Sequence, residues 1–445
     1  MHTWYEQAVF YHIYPLGLLG AEKTNTLTET AHRLTELESW IPHISDLNGS
    51  AIYIGPLFES CTHGYDTKDF RLVDRRLGSN EDFARFVRLC HENGIRVVVD
   101  GVFNHTGREF FAFQDIREKR EASPYKDWYR GVNFGWGSPL GDPFGYEAWQ
   151  GHFELPCLNL WNPEVRQYLF DSIQFWVDNF NIDGIRLDCA NVLDFGFMKE
   201  LREKTSAMKP DFWLMGEVIH GEYNRWVNPE MLHSVTNYEL HKALYSGHND
   251  HNYFEIAHNV RRLEAVGRSL YTFVDNHDED RIASKLNNLA NLFPVYQLLF
   301  TLPGIPSVYY GSEWGIEGKR SRTSDEVLRP ALNLSDMHGK APELASHIAA
   351  LGKIHTENDA FHNGSYKELL LTNRQYAFSR SGEHGTVISA VNNDEQPASI
   401  SIPLPCAASD AVSLLPGEIP FSLENGRLSV TLPANGGAIF KLQEV

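Results

Sequence analysis

Residues 94–105 read Gly94-Ile95-Arg96-Val97-Val98-Val99-Asp100-Gly101-Val102-Phe103-Asn104-His105. A β-branched apolar run at 97–102 follows an amphipathic, helix-like stretch at 81–93. Asn93-Gly94 closes that stretch as a helix C-cap does. The strand it predicts ends in polar groups. Working outward, further short β-rich runs lie at 9–14, 51–55, 184–188, 213–217, 271–275 and 307–310. Helix-like stretches lie between several of them, at 165–179, 197–208 and 293–301, with Pro163 at a first-turn position before the first of these three. A weaker run, Ser234-Val235-Thr236-Asn237-Tyr238, supplies the eighth strand. Strands alternating with helices form a parallel sheet, and about eight such units close it into a barrel.

The expected fold class is therefore α/β: a (β/α)8 TIM barrel with a small inserted domain after the third strand and a C-terminal all-β sandwich. The expected boundaries are 1–105 and 161–361 for the two parts of the barrel, 106–160 for the insertion and 362–445 for the sandwich. Residues 106–160 are rich in Gly, Pro and aromatics, with no long helix, and exceed an ordinary βα loop. After about residue 362 the pattern changes to alternating strands at 376–379, 386–392, 398–403 and 427–432.

Composition narrows the function. Hydrophobic residues make up 42% and charged residues 22% of the 445, which excludes a largely disordered chain. The 58 Asp+Glu against 39 Lys+Arg leave a net charge of −19. Such a chain repels phosphate backbones and anionic lipid, so nucleic acid and membrane are poor partners; a neutral substrate is unaffected. Aromatics reach 12%, a mild pointer to sugar stacking. The five cysteines are scattered with no CxxC pair, which indicates neither a zinc site nor a disulfide framework. No basic-then-apolar leader and no apolar run of membrane length is present, so a cytoplasmic protein is expected.

Four runs end in acidic or imidazole groups: 96–105 above, Gly184-Ile185-Arg186-Leu187-Asp188, Trp213-Leu214-Met215-Gly216-Glu217-Val218 and Phe273-Val274-Asp275-Asn276-His277-Asp278. Singly, a carboxylate at a strand end caps a helix or pairs with a cation. A barrel brings all four ends into one mouth, where catalytic groups sit. Paired carboxylates without metal-ligand histidine spacing suit retaining glycoside hydrolysis, with one ionised and one protonated. Alternation puts Arg186 on the face of Asp188, where its cation favours the anion. Glu217 lies in more apolar sequence, which raises its pKa.

These runs resemble, in order, the conserved regions of the α-amylase family of glycoside hydrolases. Gly64-Tyr65-Asp66, Leu155-Pro156-Cys157-Leu158-Asn159 and Gly304-Ile305-Pro306-Ser307-Val308-Tyr309-Tyr310-Gly311 extend the resemblance over nearly the whole chain. It implies Asp188 as nucleophile, Glu217 as general acid and then base, and Asp278 as the group that holds the 2- and 3-hydroxyls of the sugar. It further implies that His105 and His277 bond the same sugar, Arg186 orients Asp188, Tyr65 stacks beneath the ring and Asp66 belongs to that subsite. Asp325 and Arg329 resemble the pair that clamps the next sugar, and Asp100 is implied to be structural. The substrate implied is an α-glucan oligosaccharide.

Within the family, Ser123-Pro124-Tyr125-Lys126-Asp127-Trp128-Tyr129 and Asn159-Leu160-Trp161-Asn162-Pro163-Glu164-Val165-Arg166 resemble the cyclomaltodextrinase, neopullulanase and maltogenic amylase group. Three departures stand out. The first strand begins by Val9, without the N-terminal domain typical of that group, so a monomer or a dimer not built on such a domain is expected. Val192 stands where the group has a glutamate, leaving hydrolysis and transfer both open. Cys157 stands where many relatives place an aspartate that, with the asparagine at Asn104, binds structural calcium; a soft thiol disfavours that ion. No cofactor is expected for the chemistry. A transglycosylase, a sucrose- or trehalose-processing member and a non-catalytic carbohydrate-binding relative are the alternatives.

Overall fold

Eight parallel strands build the centre of the computed structural model, which describes residues 3–322, 324–417 and 419–445. They are β1 (Phe10–Ile13), β2 (Ala51–Ile54), β3 (Arg96–Gly101), β4 (Gly184–Leu187), β5 (Trp213–Gly216), β6 (Ser234–Val235), β7 (Tyr271–Phe273) and β8 (Ile305–Tyr309). Their order is β6-β5-β4-β3-β2-β1-β8-β7. A single parallel bridge between Thr236 and Tyr271 joins the two ends. The Asn237 amide donates to the Tyr271 carbonyl at 2.8 Å, and the Tyr271 amide donates to Ser234 Oγ at 2.9 Å. The weak eighth run is thus a real but two-residue strand, whose closure relies on a side chain.

Alternation along the strands sorts the barrel's interior into layers. At the N-terminal end Phe10 stacks on Trp213 with centroids 4.9 Å apart and meets the edge of Tyr271 at 5.4 Å. Two residues further along, the layer turns polar, with His12, Tyr53, Asp100 and Arg186 all buried. The register pairs Asp100 with Arg186 and Arg186 with Met215. An aromatic floor thus supports a charged layer directly under the mouth.

The surrounding helices start and stop where local chemistry dictates. Helix Asn80–Glu92 carries a capping box between Ser79 and Asp82. Helix Pro163–Phe180 begins with Pro at its first turn behind an Asn162 cap and ends on left-handed Asn181. After β3 the chain leaves the barrel through the nine-residue helix Phe111–Lys119 and the hairpin Ala148–Trp149 with His152–Pro156. It returns against the barrel through a bridge between His105 and Cys157.

The C-terminal region holds β9 (Ser365–Leu371), β10 (Gln375–Gly382), β11 (Gly385–Asn392), β12 (Ala398–Pro403), β13 (Ala408–Ser413), β14 (Phe421–Glu424), β15 (Arg427–Leu432) and β16 (Gly436–Glu444). They form antiparallel sheets ordered β9-β10-β11-β16-β13 and β12-β15-β14. The four expected runs fall in β10, β11, β12 and β15. Strands β9 and β13 hold at most one buried residue each and lack the alternation that betrays a strand, while β14 alternates over only four residues. Buried Gln297, on helix Leu292–Thr301, locks this domain to the barrel by donating to Ser389 Oγ and to the Ala390 and Ala438 carbonyls at 3.0–3.1 Å. No described helix is long and apolar enough to cross a membrane.

Candidate active site

The ends of β3, β4 and β5 converge on one guanidinium. Arg186 Nη1 lies 2.8 Å from Asp188 Oδ1 and 3.0 Å from Asp100 Oδ1, while Nη2 lies 3.1 Å from Glu217 Oε1. One cation therefore serves three carboxylates. The expected contact with Asp188 is present, and the other two add to it. Cys189, in the left-handed region at φ 49°, turns its amide onto Glu217 Oε2 at 3.0 Å and its thiol onto Asp188 Oδ2 at 3.2 Å. Carboxylate oxygens of Asp188 and Glu217 stand within 4.8 Å of each other.

The facing wall comes from the loops after β2, β7 and β8. Asp278 Oδ2 lies 3.0 Å from His277 Nε2, and its Oδ1 lies 2.7 Å from Arg329 Nη2. Tyr65 OH reaches His277 Nε2 at 2.5 Å. Arg329 also donates to the His277 carbonyl at 2.9 Å and spreads over the Tyr14 ring at 4.6 Å. Asp325 sits 3.4 Å from Arg329 and 2.8 Å from Arg320. His105 lies across the mouth, with Trp149 of the inserted hairpin 6.0 Å away. His105 Nε2 and His277 Nδ1 are buried ring nitrogens without a partner among the described residues.

These surroundings drive the acids apart. Burial raises the Glu217 carboxyl above the usual range, and the charges of Asp188 and Asp278 add to this against the pull of Arg186. Burial also opposes ionisation of Asp278, but His277 and Arg329 outweigh it and hold that carboxyl below the usual range. Burial lowers the His105 imidazole, so it is neutral near pH 7.

Nine of the ten expected residues gather here: Asp188, Glu217, Asp278, Tyr65, His105, Arg186, His277, Asp325 and Arg329. Asp66, the tenth, lies beside Tyr65 on the same loop, and its charge acts on His105. Its oxygens accept from the Thr62 amide at 3.2 Å and the Thr62 hydroxyl at 2.8 Å, so the carboxylate ties its own loop. Asp100 braces Arg186 and accepts from Tyr53 OH at 2.9 and 3.0 Å. The sequence reading missed His12, which stacks on Tyr53 at 4.2 Å and meets His277 edge-on at 5.2 Å. It also missed Tyr14, Cys189 and Asn276, whose side-chain oxygen holds the Asp278 amide at 2.9 Å. A polar residue inside an apolar strand run, as in Phe10-Tyr11-His12-Ile13, was the available signal.

The calcium position does not fit that ion. Burial raises the Cys157 thiol, which keeps it protonated, and the Arg130 guanidinium and the Asn104 side chain stand beside it. Asn104 Nδ2 also lies 3.1 Å from His105 Nδ1. A neutral soft donor next to a fixed cation is the reverse of what calcium requires.

A barrel whose mouth gathers three carboxylates around one arginine, with Glu217 raised and Asp278 beside Arg329 held low, defines the class as a carboxylate-based hydrolase scaffold. The comparisons narrow it. The family model "Alpha amylase, catalytic domain" matches residues 25–341. A cyclomaltodextrinase of Geobacillus thermopakistaniensis (strain MAS1) is 30% identical over 99% of this chain and 78% of its own. A maltogenic alpha-amylase of Bacillus acidopullulyticus is 29% identical over the same shares. A crystal structure of a debranching enzyme from Nostoc punctiforme superposes with a TM-score of 0.85 at 27% identity, covering 99% of this chain and all of the other. The chain belongs to the alpha-amylase family and is an amylase-type glycoside hydrolase.

Proposed function

We propose that this enzyme hydrolyses α-1,4-glucosidic bonds of maltodextrins or cyclodextrins with retention of configuration. The observation that carries this is the spacing of Asp188 and Glu217. One oxygen of each within 4.8 Å of the other accords with the about 5–5.5 Å separation of a retaining pair rather than the about 6.5–9.5 Å of an inverting one. In the first step Asp188 Oδ2, the oxygen not paired with Arg186, attacks the anomeric carbon. The glycosidic C–O bond breaks, and Glu217 gives its proton to the departing oxygen. In the second step water attacks the glycosyl ester, Glu217 takes the water's proton, and Asp188 leaves as carboxylate. Esterification removes the Asp188 charge, one of the influences that raise Glu217, so the acid is readied to act as base.

The facing wall binds the sugar. Anionic Asp278 is positioned to accept the ring's hydroxyls and to face developing positive charge. The unpartnered nitrogens of His105 and His277 match hydroxyl groups, and Tyr65 supplies a flat surface. Asp325 and Arg329 lie where they can hold the next sugar. No step draws on a metal. The five free cysteines accord with a reducing compartment.

The test is a time course on maltoheptaose and β-cyclodextrin by chromatography and proton NMR. Newly formed α-anomer before mutarotation supports the reading. Initial β-anomer, or no turnover of either substrate, overturns it. Products longer than the substrate would reassign the enzyme as a transglycosylase.

A further inference from the structure

We infer that Trp161 is a stacking platform for the segment of α-glucan that departs with the proton from Glu217, an acceptor-side subsite beyond the catalytic pocket. The inference rests on the glucan-cleaving reading above and names where that substrate extends. Trp161 is 79% exposed, an extreme value for the largest apolar side chain. Its ring is nonetheless fixed. The indole N–H donates to Asp194 Oδ2 at 3.0 Å. Asp194 is itself immobilised, because its other oxygen accepts from the Phe197 amide and from Arg166 Nη2, both at 2.8 Å. The Trp161 amide is tied to Asn159 Oδ1 at 3.2 Å. A ring anchored by its polar edge with its faces in solvent has lost the freedom that binding would otherwise cost. The apolar C–H face of a pyranose is the surface that matches it.

Chain connectivity bounds the distance from the catalytic pair. A general acid must face the departing oxygen, and Glu217 is held by the amide of Cys189, the first residue of the loop that ends at Asp194. Six residues from Asp188 to Asp194 span at most about 20 Å, and the turn Ala190–Val192 shortens that. Trp161 therefore stands within reach of a short oligosaccharide leaving the site. Val192 and Ile219, 48% and 43% exposed, lie on the loops that carry Asp188 and Glu217. This rim carries apolar groups, whereas the opposite wall combines Asp278, Arg329 and Arg320 with a lone exposed Val327.

The test compares wild type, W161A and W161F on maltotriose and maltoheptaose, with circular dichroism confirming the fold of each. In W161A the KM for maltoheptaose should rise about three- to tenfold, with kcat and the kinetics of maltotriose little changed. W161F should restore most of the loss, because a flat ring remains. An unchanged maltoheptaose KM in W161A, or an equal loss on both substrates, overturns the inference while leaving the glucan-cleaving reading intact. A wild-type enzyme that cleaves neither substrate overturns both.

Discussion

Two aspartates bracket strand β4, and they live in opposite worlds. Asp183, just before the strand begins, is met by His91 Nε2 at 2.6 Å, Arg96 Nη1 at 3.0 Å, Lys209 Nζ at 3.0 Å and the Val97 amide at 2.9 Å. Asp188, just past the strand's end, shares one arginine with two other acids. At the foot of the barrel donors outnumber the carboxylate. At the mouth carboxylates outnumber the cation. Burial opposes ionisation of Asp183, yet His91 and its other partners prevail and bring it to about 2. At the mouth the same burial, with like charges added, raises Glu217. One end is arranged for stability and the other holds electrostatic tension that chemistry can use.

The largest break in this contrast is D188N. If Asp188 is the nucleophile, kcat on maltoheptaose should fall by about 10⁴-fold or more, while substrate binding persists. The thermal midpoint should change little, because Asp100 still pairs with Arg186 and one like charge beside Glu217 is gone. Full activity in D188N would remove the nucleophile assignment.

How far the mouth could be read from the sequence follows from the same contrast. Asp188, Glu217 and Asp278 were legible because each follows an apolar run, and a barrel has one mouth for all such ends. The sharing of Arg186 was not legible. It depends on the register that sets Asp100 beside Arg186, and no local pattern encodes register between strands about 86 residues apart. The tie between Asp66 and Thr62, four residues away, was likewise not legible, because it depends on the turn of their shared loop. His12 was hidden because β1 is buried on both faces, and one polar residue there does not disturb a continuous apolar run. The barrel itself was legible from strand–helix alternation, whereas β9 and β13, with at most one buried residue each, carry no apolar rhythm and β14 alternates over only four residues.

At the foot of the barrel the expected effect is on stability alone. D183N should cost about 2–3 kcal/mol at pH 7, from a carboxyl held near 2 in the fold against about 4 in the unfolded chain. The sign follows from linkage. A depressed folded pKa contributes stability that is present above the unfolded value and is lost as pH falls from about 4 towards 2. Urea unfolding of wild type and D183N should therefore differ at pH 7 and converge in acid, with kcat of the folded variant little changed. A large loss of kcat at full stability would mean that the two ends of β4 are not independent.

The smallest effect is a displaced limb in the pH profile, and it sharpens the contrast most directly. Glu217 must carry its proton to release the leaving group, so kcat/KM falls as pH rises through its pKa in the free enzyme. Burial and the neighbouring charges of Asp188 and Asp278 raise that pKa. The alkaline limb should therefore lie above the ordinary glutamate range of about 4.3. Asp278, held low by His277 and Arg329, stays anionic throughout and contributes no limb of its own there. D183N, altered at the other end of the same strand, should overlay the wild-type profile even though it unfolds more readily. A limb at the ordinary glutamate value would mean that Arg186 outweighs burial at Glu217. A limb that moves in D183N would mean that the charge paired at the foot is felt at the mouth, so the two carboxylate environments would have to be treated as one electrostatic unit.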